Sequence, residues 1–369
     1  MFGDYMIRKI DKSILIILII FSIISVITIY ASEILLVDMN YYFIKQAIWY
    51  IIGFIIIYFI LKIENKKIYN SRYYLYIISI IALIFLLFFS SPINEAKCWI
   101  QIKGIGTIQP SEFVKIVLII LLACECSNFN DRFKNPTIKD EAKFLFRIIL
   151  LLIPPSFLTF LEPDTGVVII YLVIAITILF VAKIRYRWFI ITLILFIFII
   201  SIILGLYFFN EKLFINLFGN NFFLRIHRLL DWSNKEGYQL INSVASIGSA
   251  GILGHGLNIN LYIPEAQTDF IFAVFSSCFG FIGTIVLLCL IIFFDIKIIN
   301  VGINAQKNVD KYIIAGIVGM LIYQQIQNIG MTFGLMPITG ITLPFISYGG
   351  SSLLSYMIMM GLVFNITKY

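Results

Sequence analysis

The chain has 369 residues, of which 61% are hydrophobic and 13% charged, and its 27 basic and 20 acidic side chains leave a net charge of +7. A water-soluble domain carries about twice that charged fraction, so a soluble enzyme is excluded. With only 9 Pro and 23 Gly, so is a disordered or low-complexity chain. The five scattered cysteines (Cys98, Cys124, Cys126, Cys278, Cys289) form no CxxC pair and only two His are present, so neither a zinc site nor a disulfide framework is indicated.

In chain order, Arg8, Lys9 and Lys12 precede an apolar run near 13–31, which has no small-residue cleavage site and reads as a retained span. Further runs lie near 43–61, 73–90, 110–125, 146–161, 165–182, 188–208, 270–294, 312–334 and 345–366. Each is near the length that crosses a bilayer. The pattern predicts an all-α polytopic membrane protein with ten transmembrane helices and both termini cytoplasmic. In that arrangement 19 of the 27 basic residues fall inside, among them Lys62, Lys66, Lys67 and Arg72 in one connection and Lys183, Arg185 and Arg187 in another. Such a bias is what membrane insertion selects. The net positive charge therefore marks topology, and no nucleic-acid partner is implied.

The outer side then holds Glu33 and Asp38, a loop near 91–109, the Glu162-Pro163-Asp164 turn, a segment at 209–269 and a Pro/Gly-rich turn at 335–345. None has room for a separate soluble domain, so residues 1–369 read as a single membrane domain in which 209–269 is a large extracytoplasmic loop. Lys103, Arg225 and Arg228 are positive charges on the outside. Either an anionic ligand at the outer surface requires them, or they are incidental to a long loop.

Three stretches differ from ordinary spans. Before the fourth run, Ser111 can N-cap a helix begun beside Pro110, and Glu112 and Lys115 share one helical face. Charges at the top of a span are expected to pair, as a structural link or around a cavity. Next, Glu265 and Asp269 precede a strongly apolar helix. Asp269 fits two roles, helix cap or general base at a cavity mouth. Finally, the run Asn328 to Ser352 is dense in Gly, Pro, Ser and Thr, which predicts a broken helix or re-entrant turn that lines a polar cavity. An ordinary turn between spans is the alternative.

Together these stretches resemble the shape, elongation, division and sporulation (SEDS) family, the RodA and FtsW proteins of bacteria. The resemblance rests on Gln109-Pro110-Ser111-Glu112 with Lys115, Pro163-Asp164-Thr165-Gly166, Gly237-Tyr238-Gln239, Ile247-Gly248-Ser249, Pro264-Glu265, Thr268-Asp269-Phe270-Ile271-Phe272 and the run from Asn328 to Ser352. It implies an inverting peptidoglycan glycosyltransferase of the bacterial cytoplasmic membrane. Such an enzyme polymerises lipid II at the outer face, beside a class B penicillin-binding protein. By the same resemblance, Asp269 matches the family's essential aspartate, and Glu112 and Lys115 match its Glu and Lys. Glu265, Ser347, Arg225 and Arg228 are taken as further substrate-binding candidates.

The chemistry suits these residue types. Extending a β-1,4 glycan from an α-linked lipid pyrophosphate needs a base for the acceptor hydroxyl, for which Asp269 is the candidate. It also needs cationic help for the leaving group, from Lys115, Arg225, Arg228 or a divalent ion, although no residue pattern demands a metal. The sequence departs from the family at Gln267, where a His is usual, at Ser277 and Cys278, where acids are usual, and at Cys98, where an Arg is usual. The segment Leu257 to Ile263 is also short. A lipid-linked saccharide flippase would need a similar cavity, and a non-catalytic scaffold for a penicillin-binding protein is a third reading. No Walker A sequence is present to power transport, and Asp269 argues against the scaffold.

Overall fold

The computed structural model describes residues 11–34, 41–90, 98–102, 106–220, 222–223, 237–257, 263 and 265–367. In chain order these form α1 (Lys12–Glu33), α2 (Tyr42–Lys62), the short α3 (Asn65–Asn70) and α4 (Arg72–Phe89). An antiparallel hairpin of β1 (Ile100–Ile102) and β2 (Gly106–Ile108) follows, with Ile100 opposite Ile108. Then come α5 (Pro110–Arg132), α6 (Ile138–Leu161), α7 (Thr165–Val181), α8 (Tyr186–Phe209), the short α9 (Glu211–Phe218) and α10 (Tyr238–Ser249), and finally α11 (Ile271–Asn304), α12 (Asn308–Thr332) and α13 (Gly350–Ile366).

Each of the ten apolar runs overlaps a helix. Among the described residues, α1, α2, α4, α6, α8, α11 and α12 are long and apolar enough to cross a membrane, while α7 and α13 are apolar but only 17 residues long. The remaining helix, α5, is enclosed by α4, α6, α7, α12 and α13. The protein is an all-α, multi-pass membrane protein.

The helix starts are fixed locally. Asp11 accepts from Ser13 N and Ile14 N at 2.8 and 3.4 Å and caps α1. The buried Glu33 at the end of α1 reaches across to accept from Tyr42 N at 2.7 Å and Phe43 N at 3.4 Å, so one helix's last residue caps the next. Thr137 and Asp140 form a reciprocal capping box on α6. Small residues then let backbones approach, as membrane helices require. A Cβ on Gly319 of α12 would lie 2.4 Å from the Thr177 methyl on α7, and one on Gly53 of α2 would lie 2.5 Å from Met357 Cγ on α13.

Two features depart from the sequence reading. The 209–269 segment is not simply a loop: it contains α9 and α10, and α10 packs on α11 and α12, where Ser243 donates to Thr332 O at 2.9 Å. And α11 is broken at Gly280, whose φ is 63° and ψ −162°. The segment 251–256 fills that break. His255 N and Gly256 N donate to the carbonyls of Ser277 and Cys278 at 2.9 and 3.0 Å, and Phe281 N and Ile282 N donate to those of Gly251 and Ile252 at 3.0 and 3.2 Å. Every backbone group named here is satisfied inside the protein, which is the condition for irregular backbone at membrane depth.

At the far end of α5 from Glu112, charged side chains tie helix ends together. Glu125 is held by Arg147 at 3.0 Å, Arg72 at 3.6 Å and the Tyr73 hydroxyl. Glu141 is held by Arg185 at 3.4 Å and Trp188 Nε1 at 2.9 Å.

Candidate active site

The hairpin β1–β2 delivers the chain to Gln109, which is the N-cap of α5, with Pro110 at the first helical position, where its fixed φ suits a helix start. Ser111 is therefore inside the helix and is not the cap. Its carbonyl instead accepts from the Tyr171 hydroxyl at 3.0 Å. This start places Glu112 on the wall of a cavity of about 970 Å³. Lys115, one turn further, is 0% exposed, with its ammonium 2.7 Å from Glu112 Oε2 and 5.3 Å from the Tyr356 ring centroid.

Asp269 lies in the turn 265–270, where the carbonyl of Glu265 accepts from the N–H groups of Thr268, Asp269 and Phe270 at 3.2 to 3.4 Å. Glu265 has a φ of 53°, in the left-handed region, which tightens the turn. The N-cap of α11 is Phe270, without a side-chain cap. Capping therefore does not account for Asp269: its carboxylate lines the same cavity as Glu112 and Glu265. Burial, reinforced by the charge of Glu265 and opposed by a hydrogen bond from Thr268, pushes the Asp269 carboxyl up to about 7.

The segment between α12 and α13 lines the cavity with Gly340, Ile341 and Thr342 and with Tyr348 to Ser352, as the re-entrant reading expects. It is stitched to the Asp269 turn. Asn328 Nδ2 donates both to Asp269 O and to Ile341 O at 2.8 Å, and Tyr348 N donates to Gln267 O at 2.8 Å. Ser347 is buried, donates to Thr268 O at 2.6 Å and accepts from Leu343 N at 2.9 Å.

The structure thus gathers Glu112, Glu265 and Asp269 around one cavity. Lys115 and Ser347 are not among its lining residues, because one is spent behind Glu112 and the other on the turn's backbone. Predicted as substrate contacts, both stand behind residues that do line it, Lys115 against Glu112 and Ser347 against Thr268. Arg225, Arg228 and Lys103 lie outside the described residues. Among the described residues no group of three or more His, Cys, Asp or Glu is placed to hold a metal.

Sequence reasoning passed over Asp164 as a site residue. It caps α7 through Val167 N at 3.2 Å, accepts from Gln109 Nε2 at 2.6 Å and lines the cavity. Burial raises its carboxyl to about 6, against the hydrogen bond from Val167, with the Glu112 charge adding to the rise. The available signal was two acids in a three-residue turn between spans. Neighbouring Glu162 is 0% exposed, and neither carboxylate oxygen has a hydrogen-bond partner among the described residues. Burial, then the charge of Asp164, pushes it up to about 8. The Cys98 thiol, which also lines the cavity, donates to the Glu162 carbonyl.

A membrane helix bundle with a polar cavity at one end, walled by a re-entrant segment and several carboxylates, defines the class. Residues 10–369 match the FtsW, RodA and SpoVE family of cell cycle proteins. A probable peptidoglycan glycosyltransferase FtsW of Lactococcus lactis is 30% identical over 349 residues, covering 88% of this chain and 83% of that protein. The stage V sporulation protein E of Bacillus subtilis is 32% identical over 295 residues, covering 75% and 72%. Among solved structures, that of a peptidoglycan synthase complex coordinating polymerisation and crosslinking superposes with a TM-score of 0.80 at 23% identity, covering 97% of both chains. The rod shape determining protein RodA of Thermus thermophilus gives 0.69 at 21% identity, covering 97% and 96%. The chain belongs to the FtsW, RodA and SpoVE family.

Proposed function

We propose that the protein is a peptidoglycan glycosyltransferase that polymerises lipid II in this cavity, at the outer face of the cytoplasmic membrane. The observation that carries the reading is Asp269: a carboxylate not used as a helix cap, raised toward neutrality by burial, on the wall of a large polar cavity. A base with a pKa near the working pH is best suited to take a proton in a transition state. The acceptor sugar's 4-hydroxyl loses its proton to Asp269 as its oxygen bonds to the donor's anomeric carbon. The bond from that carbon to the pyrophosphate oxygen breaks with its electron pair leaving on the pyrophosphate, which inverts the anomeric configuration.

Glu112 and Asp164 are hydrogen-bond acceptors for sugar or peptide groups, and Lys115 holds Glu112 in place through the buried pair. Glu265 sits at the rim, and Ser347 holds the turn that carries Asp269. The outward orientation is supported by the excess of basic residues in the connections at the other membrane face. Likeness to a synthase that couples polymerisation with crosslinking supports a class B penicillin-binding protein as partner.

The test is polymerisation of purified lipid II by the purified protein, with and without a candidate class B penicillin-binding protein, read on a gel. Glycan strands are expected in the presence of the partner. No polymer in either condition overturns the reading and favours a scaffold.

A further inference from the structure

Four of the described residues lining the cavity carry carboxylates, namely Glu112, Asp164, Glu265 and Asp269, and one carries a cation, Lys45. Lys115 does not reach the cavity, since its ammonium is buried against Glu112. A cavity of this composition repels a doubly charged phosphate group unless a cation stands where that group sits.

Lys45 is placed for such a ligand. It occupies the first turn of α2, the positive end of the helix dipole, where a cation is disfavoured. The carboxylate nearest in structure to that helix start, Glu33, is spent on the backbone N–H groups of Tyr42 and Phe43. No carboxylate among the described residues forms an ion pair with Lys45, and its side chain is exposed. Its ammonium lies 5.1 Å from the Tyr42 ring centroid, and the Tyr42 and Tyr348 rings are 4.7 Å apart. All three residues line the cavity, so the Tyr42 ring steadies a cation at its wall.

We propose that Lys45 binds the pyrophosphate of the lipid-linked sugar. This rests on the glycosyltransferase reading and assigns the leaving-group end of the same cavity. Charge grows on the pyrophosphate as the sugar–oxygen bond breaks, so a fixed ammonium there favours the transition state over the ground state. Asp269 and Lys45 then divide the work, one taking the acceptor's proton and the other the donor's departing charge.

The experiment is equilibrium binding of undecaprenyl pyrophosphate and of undecaprenol to the full-length protein in phosphatidylcholine nanodiscs, for wild type, Lys45→Met and Lys45→Arg. A charge-assisted contact predicts that Lys45→Met binds the pyrophosphate about tenfold or more weakly, that Lys45→Arg stays close to wild type, and that undecaprenol binding is the same in all three. Equal loss for undecaprenol would reveal a structural role and overturn the assignment. Wild-type affinity for the pyrophosphate in Lys45→Met overturns it and leaves the glycosyltransferase reading standing. Failure of the wild type to bind the pyrophosphate in preference to undecaprenol overturns both.

Discussion

Glu112 and Glu125 stand on the same helix, α5, and are 6% and 4% exposed, yet their surroundings are opposite. Glu125 is met from two other helices, by Arg72 and Tyr73 on α4 and by Arg147 on α6. Glu112 has Lys115 on its own helix at 2.7 Å and Ser355 on α13 at 3.4 Å, and opens onto the cavity. A carboxylate with donors on both oxygens is a clamp between helices, whereas one whose two donors meet a single oxygen and which opens onto a cavity keeps acceptor capacity for a ligand. Burial of an acid in a membrane bundle therefore does not distinguish site from staple; the saturation of its oxygens does.

The largest expected effect sharpens the comparison at the cavity end. Asp269→Asn keeps the shape and removes the proton acceptor, so lipid II polymerisation should fall by about 10²–10⁴-fold while thermal stability stays at the wild-type value. Substantial polymer from this variant would move the chemistry to another carboxylate. Next in size is Lys115→Ala, which leaves Glu112 buried without its cation and should cost about 3–5 kcal/mol in stability together with most of the activity. Its counterpart at the other end, Arg147→Ala, removes an arginine that is 58% exposed and leaves Arg72 and Tyr73 on Glu125. It should cost less than about 1 kcal/mol and spare activity. Equal losses from the two variants, measured by thermal unfolding in detergent, would break the distinction between site and staple.

A smaller effect is expected in the pH profile. With Asp269 pushed up to about 7, the carboxylate form needed of a base is lost as pH falls through that value. The rate should then drop by about tenfold for each pH unit well below it. Because the Glu265 charge contributes to the rise, Glu265→Gln should move the midpoint to lower pH. An unchanged profile in both proteins would mean that another step limits the rate.

Much of this was legible in the sequence because the bilayer imposes its own pattern: apolar length and loop charge marked every long helix. The errors lie where polar residues find partners that the chain order does not show. The run near 270–294 continues as helix to Asn304, since Asp295 inside it accepts from Gln325 of α12 at 3.1 Å. The helix of the last run starts only at Gly350, because 345–349 belongs to the re-entrant segment, with Phe345 at a φ of 64° and Tyr348 bonded to Gln267. Asp269, Glu112 and Glu265 were legible as charges at helix starts. Asp164 and Lys45 were not, because a capping aspartate and a rim lysine look ordinary until the hairpin, the 163–164 turn and the segment before α13 close around them.

Glu162 supplies the last and smallest test, as a third buried carboxylate that fits neither end of the comparison: its carboxylate oxygens have no hydrogen-bond partner among the described residues, and it is not among the residues lining the cavity. Burial has raised it to about 8, against about 4.3 for a free glutamate. Between those values the folded protein holds a proton that the unfolded chain has released, so stability falls as pH rises across that window. The contribution is fully present below the unfolded value and lost once pH passes about 8. Glu162→Gln mimics the protonated form at every pH. It should therefore match wild type in melting temperature at pH 5, exceed it by a few degrees at pH 9, and leave polymerisation intact at neutral pH. A variant that melts lower than wild type at pH 9 would show that Glu162 is ionised and paired, placing it with Glu125 among the staples.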